Sequence, residues 1–236
     1  MNSSFAWLVA RPVAHRGLHD SAAGVIENTA TAVVAAVAAG YAVEVDLQLT
    51  RDGDAVVYHD DALGRLTDGG GRLATMTTSE LKRVRYTAGA ERILTLGELC
   101  DLLGGRAAVF LELKGRADRE LRLARRVCQV LDRYNGPVAA MSFDPRQVRA
   151  LGELQARVVC GLVAHARWRA PSYLYHVLRA APRFMAYDVR ALPAIMPTLA
   201  RSLCGLPILA WTVRSQAEHE RARRWADQII FEDLRP

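Results

Sequence analysis

The chain has 236 residues, of which 51% are hydrophobic and 24% charged, and a formal net charge of +6. This composition is typical of a globular protein with a substantial core, and it excludes a low-complexity chain. The charge comes from 29 arginines and only two lysines, Lys82 and Lys114. It permits anionic partners, but no nucleic-acid-binding motif accompanies the arginines, so we expect solvated helix faces and no nucleic-acid partner.

Cysteine usage and apolar runs favour a cytoplasmic protein. The four cysteines show no metal-type spacing and lie in apolar segments, so we expect buried, reduced thiols. They are Cys100, Cys128, Cys160 and Cys204.

No basic stretch precedes the short apolar run at the N-terminus, so we expect no signal peptide. The apolar run 30–43 is too short to cross a bilayer, so no stable membrane insertion is expected. The sequence leaves the oligomeric state open.

The first predicted elements are a strand near 13–17 and a helix that follows it. The strand ends in the triplet His-Arg-Gly, and Asn28 or Thr29 is suited to cap the helix. Gly40 is a suitable C-terminal stop.

The stretch 42–61 is predicted to be a strand and hairpin that gather polar groups. Apolar residues alternate with polar ones, so Glu44 and Asp46 lie on one strand face. An Asp-Gly dipeptide at 52–53 favours a two-residue hairpin loop. With that loop, Asp46 lies directly opposite His59, and the two side chains share a face.

The rest of the chain alternates between helices and strands after a small insertion, 52–94. Capping-box patterns at Thr77 and Thr95 announce two helices. The segment 108–114 is an apolar strand that carries Glu112 and Lys114 on one face. The later predicted helices are 118–134, one begun by Asp144-Pro145, 171–181, 194–204 and 216–226, the last with a capping box at Ser215. The later predicted strands are 138–143, 157–163, 184–189, 207–213 and 228–231.

Eight strands with helices between them predict a closed (β/α)8 TIM barrel, which is an α/β fold, as a single domain over 1–236. A doubly wound open sheet is the alternative, disfavoured because no glycine-rich phosphate loop follows the first strand. Too few residues follow the last strand for an eighth helix. We expect residues 1–11 to cover that gap.

Three carboxylates are predicted to meet at the C-terminal mouth of the barrel. Glu44 and Asp46 lie late in the second barrel strand and Glu112 near the end of the third, and such strand ends converge. Buried carboxylates repel one another unless a cation neutralises them. Oxygen ligands favour one divalent cation, Mg²⁺ or Ca²⁺. Taken singly, each could instead belong to a solvated sheet face or a surface ion pair.

Positive and titratable groups are expected at the same mouth. Arg16 and Lys114 would hold an anionic substrate, and His15 and His59 suit general acid and base roles because their ordinary pKa lies near neutrality. A structural role for His15 and Arg16 alone is equally plausible, and only the joint placement favours a site. His165, after the fifth strand, is expected to be a loop histidine.

Several stretches together resemble the glycerophosphodiester phosphodiesterases: HRG, ENT, EVDLQLTRDGDAVVYHD, LELK and the late AWTV. The resemblance covers nearly the whole chain. It implies a TIM barrel with metal bound by Glu44, Asp46 and Glu112, and with His15 and His59 as acid and base.

The resemblance also implies roles around this centre. It assigns Arg16 and Lys114 to the phosphate. The implied supporting residues are Glu27 and Asp60, and the implied walls of the substrate pocket are Trp211 and Phe143. The chain departs from the family at 230–233, where an ITD-like ending is replaced by Ile-Phe-Glu-Asp.

The implied reaction is metal-dependent hydrolysis of a small phosphodiester to glycerol 3-phosphate and an alcohol. The alternatives are a lysophospholipase D-type enzyme or cyclising lyase on lipid substrates and, outside enzymes, a phosphate-binding module. The order of the two histidines stays open.

Overall fold

Eight parallel strands form a closed barrel, as predicted. The structure is a computed structural model that describes residues 3–114, 120–164 and 170–236. Strand β1 pairs with both its neighbour along the chain and the last strand, with Val13 opposite Ala42 and Ile230, and this closes the ring. The described strands are β1 (Val13–Ala14), β2 (Ala42–Leu49), β3 (Ala55–Val57), β4 (Ala62–Leu63), β5 (Gly71–Arg72), β6 (Val109–Leu113), β7 (Val138–Ser142), β8 (Val159–Ala164), β9 (Phe184–Asp188), β10 (Ile208–Val213) and β11 (Gln228–Phe231). Of these, β3, β4 and β5 lie outside the ring.

Helices cover the outside of the barrel, and five of them begin at the predicted caps. They are α1 (Ala30–Ala38), α2 (Thr78–Leu81), α3 (Leu96–Leu103), α4 (Arg122–Leu131), α5 (Pro145–Leu154), α6 (Ala170–Ala180), α7 (Ile195–Cys204) and α8 (Gln216–Trp225). Thr29 caps α1, and complete capping boxes begin α2 and α3. The Ser215 hydroxyl caps α8, but the Glu218 carboxylate accepts from Arg214 N, so the predicted box is incomplete.

The helix predicted over 118–134 is shorter in the structure. Helix α4 ends at Leu131, and residues 115–119 lie outside the described part of the chain. Asp144 caps α5, with Pro145 at the first helical position, as predicted.

The hairpin register predicted from the Asp-Gly dipeptide is wrong by one residue. Leu47 pairs with Val57 and Leu49 with Ala55, so the loop has three residues, 51–53, and Tyr58 rather than His59 lies opposite Asp46. Gly53 adopts φ 87° at the third loop position, which is the left-handed residue of a three-residue hairpin loop.

The N-terminal segment does not fill the place of the missing eighth helix. A 3-10 helix, Ser3–Val9, packs Leu8 into the hydrophobic cluster inside the barrel, where Trp7 meets Phe110 at 6.2 Å between ring centroids. It therefore covers the N-terminal mouth of the barrel, where its apolar side chains are buried against the apolar residues of the interior. On the outside, Leu234 of the C-terminal tail packs against the layer between strands and helices.

Residues 58–94 build a small lobe beside the barrel mouth. Strands β4 and β5 form a hairpin, and the lobe has its own apolar cluster, which includes Leu73, Leu81 and Ile93.

The cysteines are buried only in part. Cys128 and Cys160 are buried as expected, but Cys100 is half-buried. Cys204 is exposed because Cys204 ends α7 on the outer wall.

Among the helices of the described ranges, none combines the length and apolar character needed to cross a membrane.

Candidate active site

Three carboxylates converge inside the C-terminal mouth of the barrel. Asp46 on β2 pairs directly with Glu112 on β6, and Glu44 lies two residues before Asp46 on the same inward face. Ligand oxygens of the three side chains lie within 4.8 Å of one another. The alternation of β2 and the parallel register with β6 thus bring together the residues that the sequence predicted.

This cluster carries a negative charge that its neighbours neutralise only in part. Glu44 is fully buried; its Oε2 accepts from Arg16 N at 2.9 Å, and its Oε1 has no hydrogen-bond partner among the described residues. Burial, and then the charges of Asp46 and Glu112, raise the pKa of Glu44 well above its ordinary value. Three buried oxygen donors with one unpartnered oxygen fit a divalent cation, so this trio could hold one.

Two cations lie against the same carboxylates. Lys114 Nζ is 2.9 Å from Asp46 Oδ1 and 2.5 Å from Glu112 Oε1, and Arg16 Nε is 3.1 Å from Asp46 Oδ2. Although burial opposes ionisation, Lys114 and Arg16 hold the pKa of Asp46 well below its ordinary value. The mouth thus presents fixed positive charge beside the acidic trio.

The backbone conformation of the loop after β1 fixes the position of Arg16. Arg16 itself adopts φ 56°, and the next residue, Gly17, adopts φ 79°. A Cβ on Gly17 would lie 2.7 Å from the backbone carbonyl carbon of Ala32 in α1, so only glycine fits there. Asn28 then links the loop to the centre, donating to Asp46 Oδ2 at 2.9 Å and accepting from Asp46 N at 3.1 Å.

His59 is held by a chain of ion pairs that starts at Asp60. Its Nδ1 lies 2.7 Å from Asp60 Oδ1, and Arg65 Nε donates to Asp60 Oδ2 at 2.5 Å. Arg65 also binds Glu27 at 2.6 Å, and Glu27 accepts from Arg16 at 2.8 Å. Burial opposes the charged form of Glu27, but hydrogen bonds from Arg65 hold its pKa below the ordinary value. Glu27 and Asp60 therefore lie where supporting residues were predicted.

His15 has a matching carboxylate partner. Its Nδ1 forms a hydrogen bond with Glu232 Oε2, and its Nε2 lies 3.9 Å from Glu44 Oε2, facing the trio. Arg214 donates to Glu232 Oε1 at 2.7 Å. Desolvation by burial lowers the pKa of His15, although Glu232 favours its charged form. His15 is therefore fixed at the trio with one ring nitrogen facing it.

Two aromatic side chains stand at the same mouth. Phe143 and Trp211 pack edge to face with ring centroids 5.6 Å apart. Trp211 also lines a small cavity with His15, Glu44 and Glu112. Trp211 is therefore adjacent to the carboxylates, and Phe143 lies against Trp211.

Sequence reasoning missed three residues of this network, namely Asn28, Arg65 and Glu232. Glu232 carried a usable signal, because it directly follows the last barrel strand at the end where sites form. The sequence pattern presents Asn28 only as a candidate helix cap, and Arg65 lies in an irregular segment with no pattern to reveal it. His165 lies outside the described residues.

Comparison with known proteins gives one family. Residues 15–233 match the model of the "Glycerophosphoryl diester phosphodiesterase family". Glycerophosphodiester phosphodiesterase 1 of Bos taurus is 32% identical over 184 residues, which are 73% of this chain and 53% of the bovine protein. This chain thus spans about half the length of the mammalian relatives it matches. A glycerophosphodiester phosphodiesterase of Caldanaerobacter subterraneus is 29% identical over 94% of this chain and 93% of its own.

Solved structures agree on the fold. An Oleispira antarctica phosphodiesterase, in complex with the product sn-glycerol-3-phosphate, has a TM-score of 0.84 at 22% identity and covers 98% of this chain and 95% of its own. The glycerophosphodiester phosphodiesterase of Thermotoga maritima has a TM-score of 0.76 at 26% identity, over 94% of each chain. The match of the family model over most of its length shows that the chain belongs to the glycerophosphoryl diester phosphodiesterase family.

Proposed function

We propose that this protein hydrolyses glycerophosphodiesters to glycerol 3-phosphate and an alcohol, with a bound divalent cation and two histidines. The proposal rests on one observation: three carboxylates and two cations lie at the same barrel mouth as two histidines, each hydrogen-bonded to a carboxylate. Family membership supports the reaction class, and the Oleispira relative with its bound sn-glycerol-3-phosphate supports the product. The catalytic unit is the single barrel domain 1–236, with the insertion 52–94 contributing His59.

Glu44, Asp46 and Glu112 would hold the cation, either Mg²⁺ or Ca²⁺. The fit rests on oxygen-only donors within 4.8 Å and on the buried Oε1 of Glu44 that has no hydrogen-bond partner among the described residues. A divalent cation bound there supplies positive charge to the phosphoryl oxygens.

Arg16 and Lys114 bind and orient the phosphate. Both cations are held in place by Asp46, so little reorganisation is needed when a phosphate arrives at the mouth. The pKa of Lys114 is raised: burial opposes its charge, but Asp46 and Glu112 outweigh this, so it stays protonated at neutral pH. The two positive charges therefore stabilise charge on the phosphoryl group throughout the reaction.

His15 serves as general base and His59 as general acid. A carboxylate on Nδ1 of each ring fixes its plane and leaves Nε2 for proton exchange with the substrate. His15 suits the base because burial keeps its pKa low and its Nε2 faces the trio. His59 is about one third exposed, which suits an acid that protonates a leaving alcohol at the open side of the mouth. Phe143 and Trp211 form the wall against which the organic part of the substrate lies.

The test is product identification with glycerophosphocholine, glycerophosphoethanolamine and glycerophosphoglycerol by phosphorus NMR. We expect glycerol 3-phosphate with Mg²⁺ or Ca²⁺ and no turnover in EDTA. His59→Ala should lower kcat by about 10²–10⁴-fold, whereas His219→Ala, on the outer helix α8, should leave it unchanged. A cyclic phosphate as the final product, or full activity in EDTA, would contradict the proposal.

A further inference from the structure

The outer wall of the barrel exposes large apolar side chains on two successive helices. On α7, Ile195, Leu199 and Leu203 are 75%, 41% and 77% exposed, and their spacing of four residues places them in one stripe along the helix. On α6, Tyr175 and Leu178 are 56% and 69% exposed. Single exposed leucines are ordinary on a protein surface, but a stripe along a helix indicates an interaction site.

The same part of the chain is rich in arginine. Residues 154–217 contain eight arginines and one acidic residue, Asp188. Three of these arginines, Arg190, Arg201 and Arg214, form ion pairs with carboxylates. Neither α6 nor α7 contains an acidic residue. Arg179 and Arg183 are exposed and form no ion pair within the described ranges, and the Arg179 guanidinium lies 6.0 Å from the Tyr175 ring centroid. Apolar and unneutralised basic side chains thus share this wall.

We propose that this surface docks on the face of an anionic phospholipid membrane. We call it the α6–α7 face and define it by Tyr175, Leu178, Ile195, Leu199 and Leu203, with Arg179 and Arg183. An apolar stripe flanked by arginines is the arrangement by which surface helices bind the boundary between headgroups and acyl chains. Anionic headgroups attract the arginines while the apolar side chains enter the boundary. The docking is peripheral, since no helix of the described residues could span the bilayer.

Charge favours a membrane over a second copy of this chain as the occupant. A two-fold dimer brings the same surface of both copies together, so each arginine-rich segment would face its like. Like charges across an interface weaken association. An anionic bilayer instead complements the exposed Arg179 and Arg183, which form no ion pair within the described ranges.

The first test is flotation of the protein with vesicles, in the absence of substrate, so its outcome does not depend on the proposed activity. We expect binding to phosphatidylcholine vesicles that contain phosphatidylglycerol, little binding to phosphatidylcholine alone, and loss of binding at high salt. The double variant Leu199→Ser/Leu203→Ser should weaken binding at least about ten-fold, because each leucine loses its apolar burial. Val34→Ser is the matched control, since Val34 is 47% exposed but lies on α1.

The second test separates charge from apolar contact. Arg179→Gln and Arg183→Gln should each weaken binding about five-fold, while Arg72→Gln, exposed in the insertion, should have no effect. Circular dichroism checks that all variants are folded. Absence of binding to phosphatidylglycerol vesicles overturns the proposal, as does equal weakening by Val34→Ser. A dimer in size-exclusion chromatography that Leu199→Ser/Leu203→Ser dissociates, without vesicle binding, would assign the face to a second copy instead.

Discussion

The carboxylate of Asp60 lies 2.7 Å from Nδ1 of His59, and Glu232 makes the matching contact with Nδ1 of His15. Each carboxylate is itself held by an arginine, Arg65 for Asp60 and Arg214 for Glu232. The two carboxylates lie far apart in the sequence, yet each gives its histidine the same kind of support. Such support fixes the tautomer and orientation of an imidazole and so prepares it for proton transfer.

Asp60→Asn should lower kcat for glycerophosphodiester hydrolysis by about 10²-fold, with little change in KM. Asparagine keeps the size of the side chain, but its neutral amide neither stabilises a charged His59 nor binds Arg65 as an ion pair. Steady-state kinetics measure the effect. Asp61→Asn is the control, because the neighbouring Asp61 is exposed. Equal kinetics for both variants would show that His59 needs no support from Asp60.

Glu232→Gln should lower kcat by a similar factor of about 10² through His15. The glutamine retains one acceptor but loses the charge that balances Arg214 and favours the protonated ring. The control is Asp233→Asn, which changes an exposed carboxylate next along the chain, and asparagine tolerates the φ of 61° at that position. A Glu232→Gln enzyme with wild-type kcat would restrict the role of Glu232 to packing of the strand end.

The hairpin after β2 shows why local sequence patterns place some residues and not others. The Asp-Gly dipeptide favours a two-residue loop, but Asp52 is held elsewhere: its carboxylate accepts from Thr50 Oγ1 at 2.6 Å and from Thr78 N at 3.0 Å, at the start of α2. That long-range contact favours the three-residue loop, and no local pattern reveals it. The predicted pairing of Asp46 with His59 failed for this reason.

His59 nevertheless lies at the mouth. It follows the end of β3, so the register of the hairpin does not set the direction of its side chain. Strand β3 ends at Val57, and the Gln48 amide then binds the carbonyls of Tyr58 and Asp60. The alternation rule applies only within a paired strand. The barrel and its trio were predictable because their side chains lie on regular parallel strands, whereas Arg65 lies in an irregular lobe.

Gly17→Ala should destabilise the fold by about 3 kcal/mol, from left-handed strain and a clash with the α1 backbone. Gly24→Ala is the matched control: Gly24 adopts φ 73°, close to the 79° of Gly17, but a Cβ there meets nothing within 4 Å. It should cost only about 1 kcal/mol. Urea unfolding measures both free energies. Equal losses for the two variants would show that the loop relieves the contact with α1 at no cost in stability.

Glu44→Gln should stabilise the metal-free protein at neutral pH by about 1–4 kcal/mol while abolishing turnover. The trio carries three carboxylates against two cations, Arg16 and Lys114, so the variant leaves two against two. Burial first, and then neighbouring carboxylates, raise the pKa of Glu44 in the folded state. The folded protein therefore binds more protons than the unfolded chain above the ordinary pKa of a glutamate, and its stability falls as the pH rises from there. The difference in free energy of unfolding between Glu44→Gln and the wild-type protein should be near zero at about pH 4 and grow toward neutrality.

Urea unfolding in EDTA across this pH range measures the effect of Glu44→Gln. Glu153→Gln, which removes an exposed carboxylate from α5, should change the free energy of unfolding by less than about 0.5 kcal/mol at any pH. Adding Mg²⁺ or Ca²⁺ should raise the Tm of the wild-type protein and of Glu153→Gln but not that of Glu44→Gln, because a cation stabilises only a folded state that binds it. A Tm increase of equal size in Glu44→Gln would place the cation elsewhere. If Glu44→Gln were less stable than the wild-type protein in EDTA, the charge of Glu44 would be balanced by neighbouring groups without a metal.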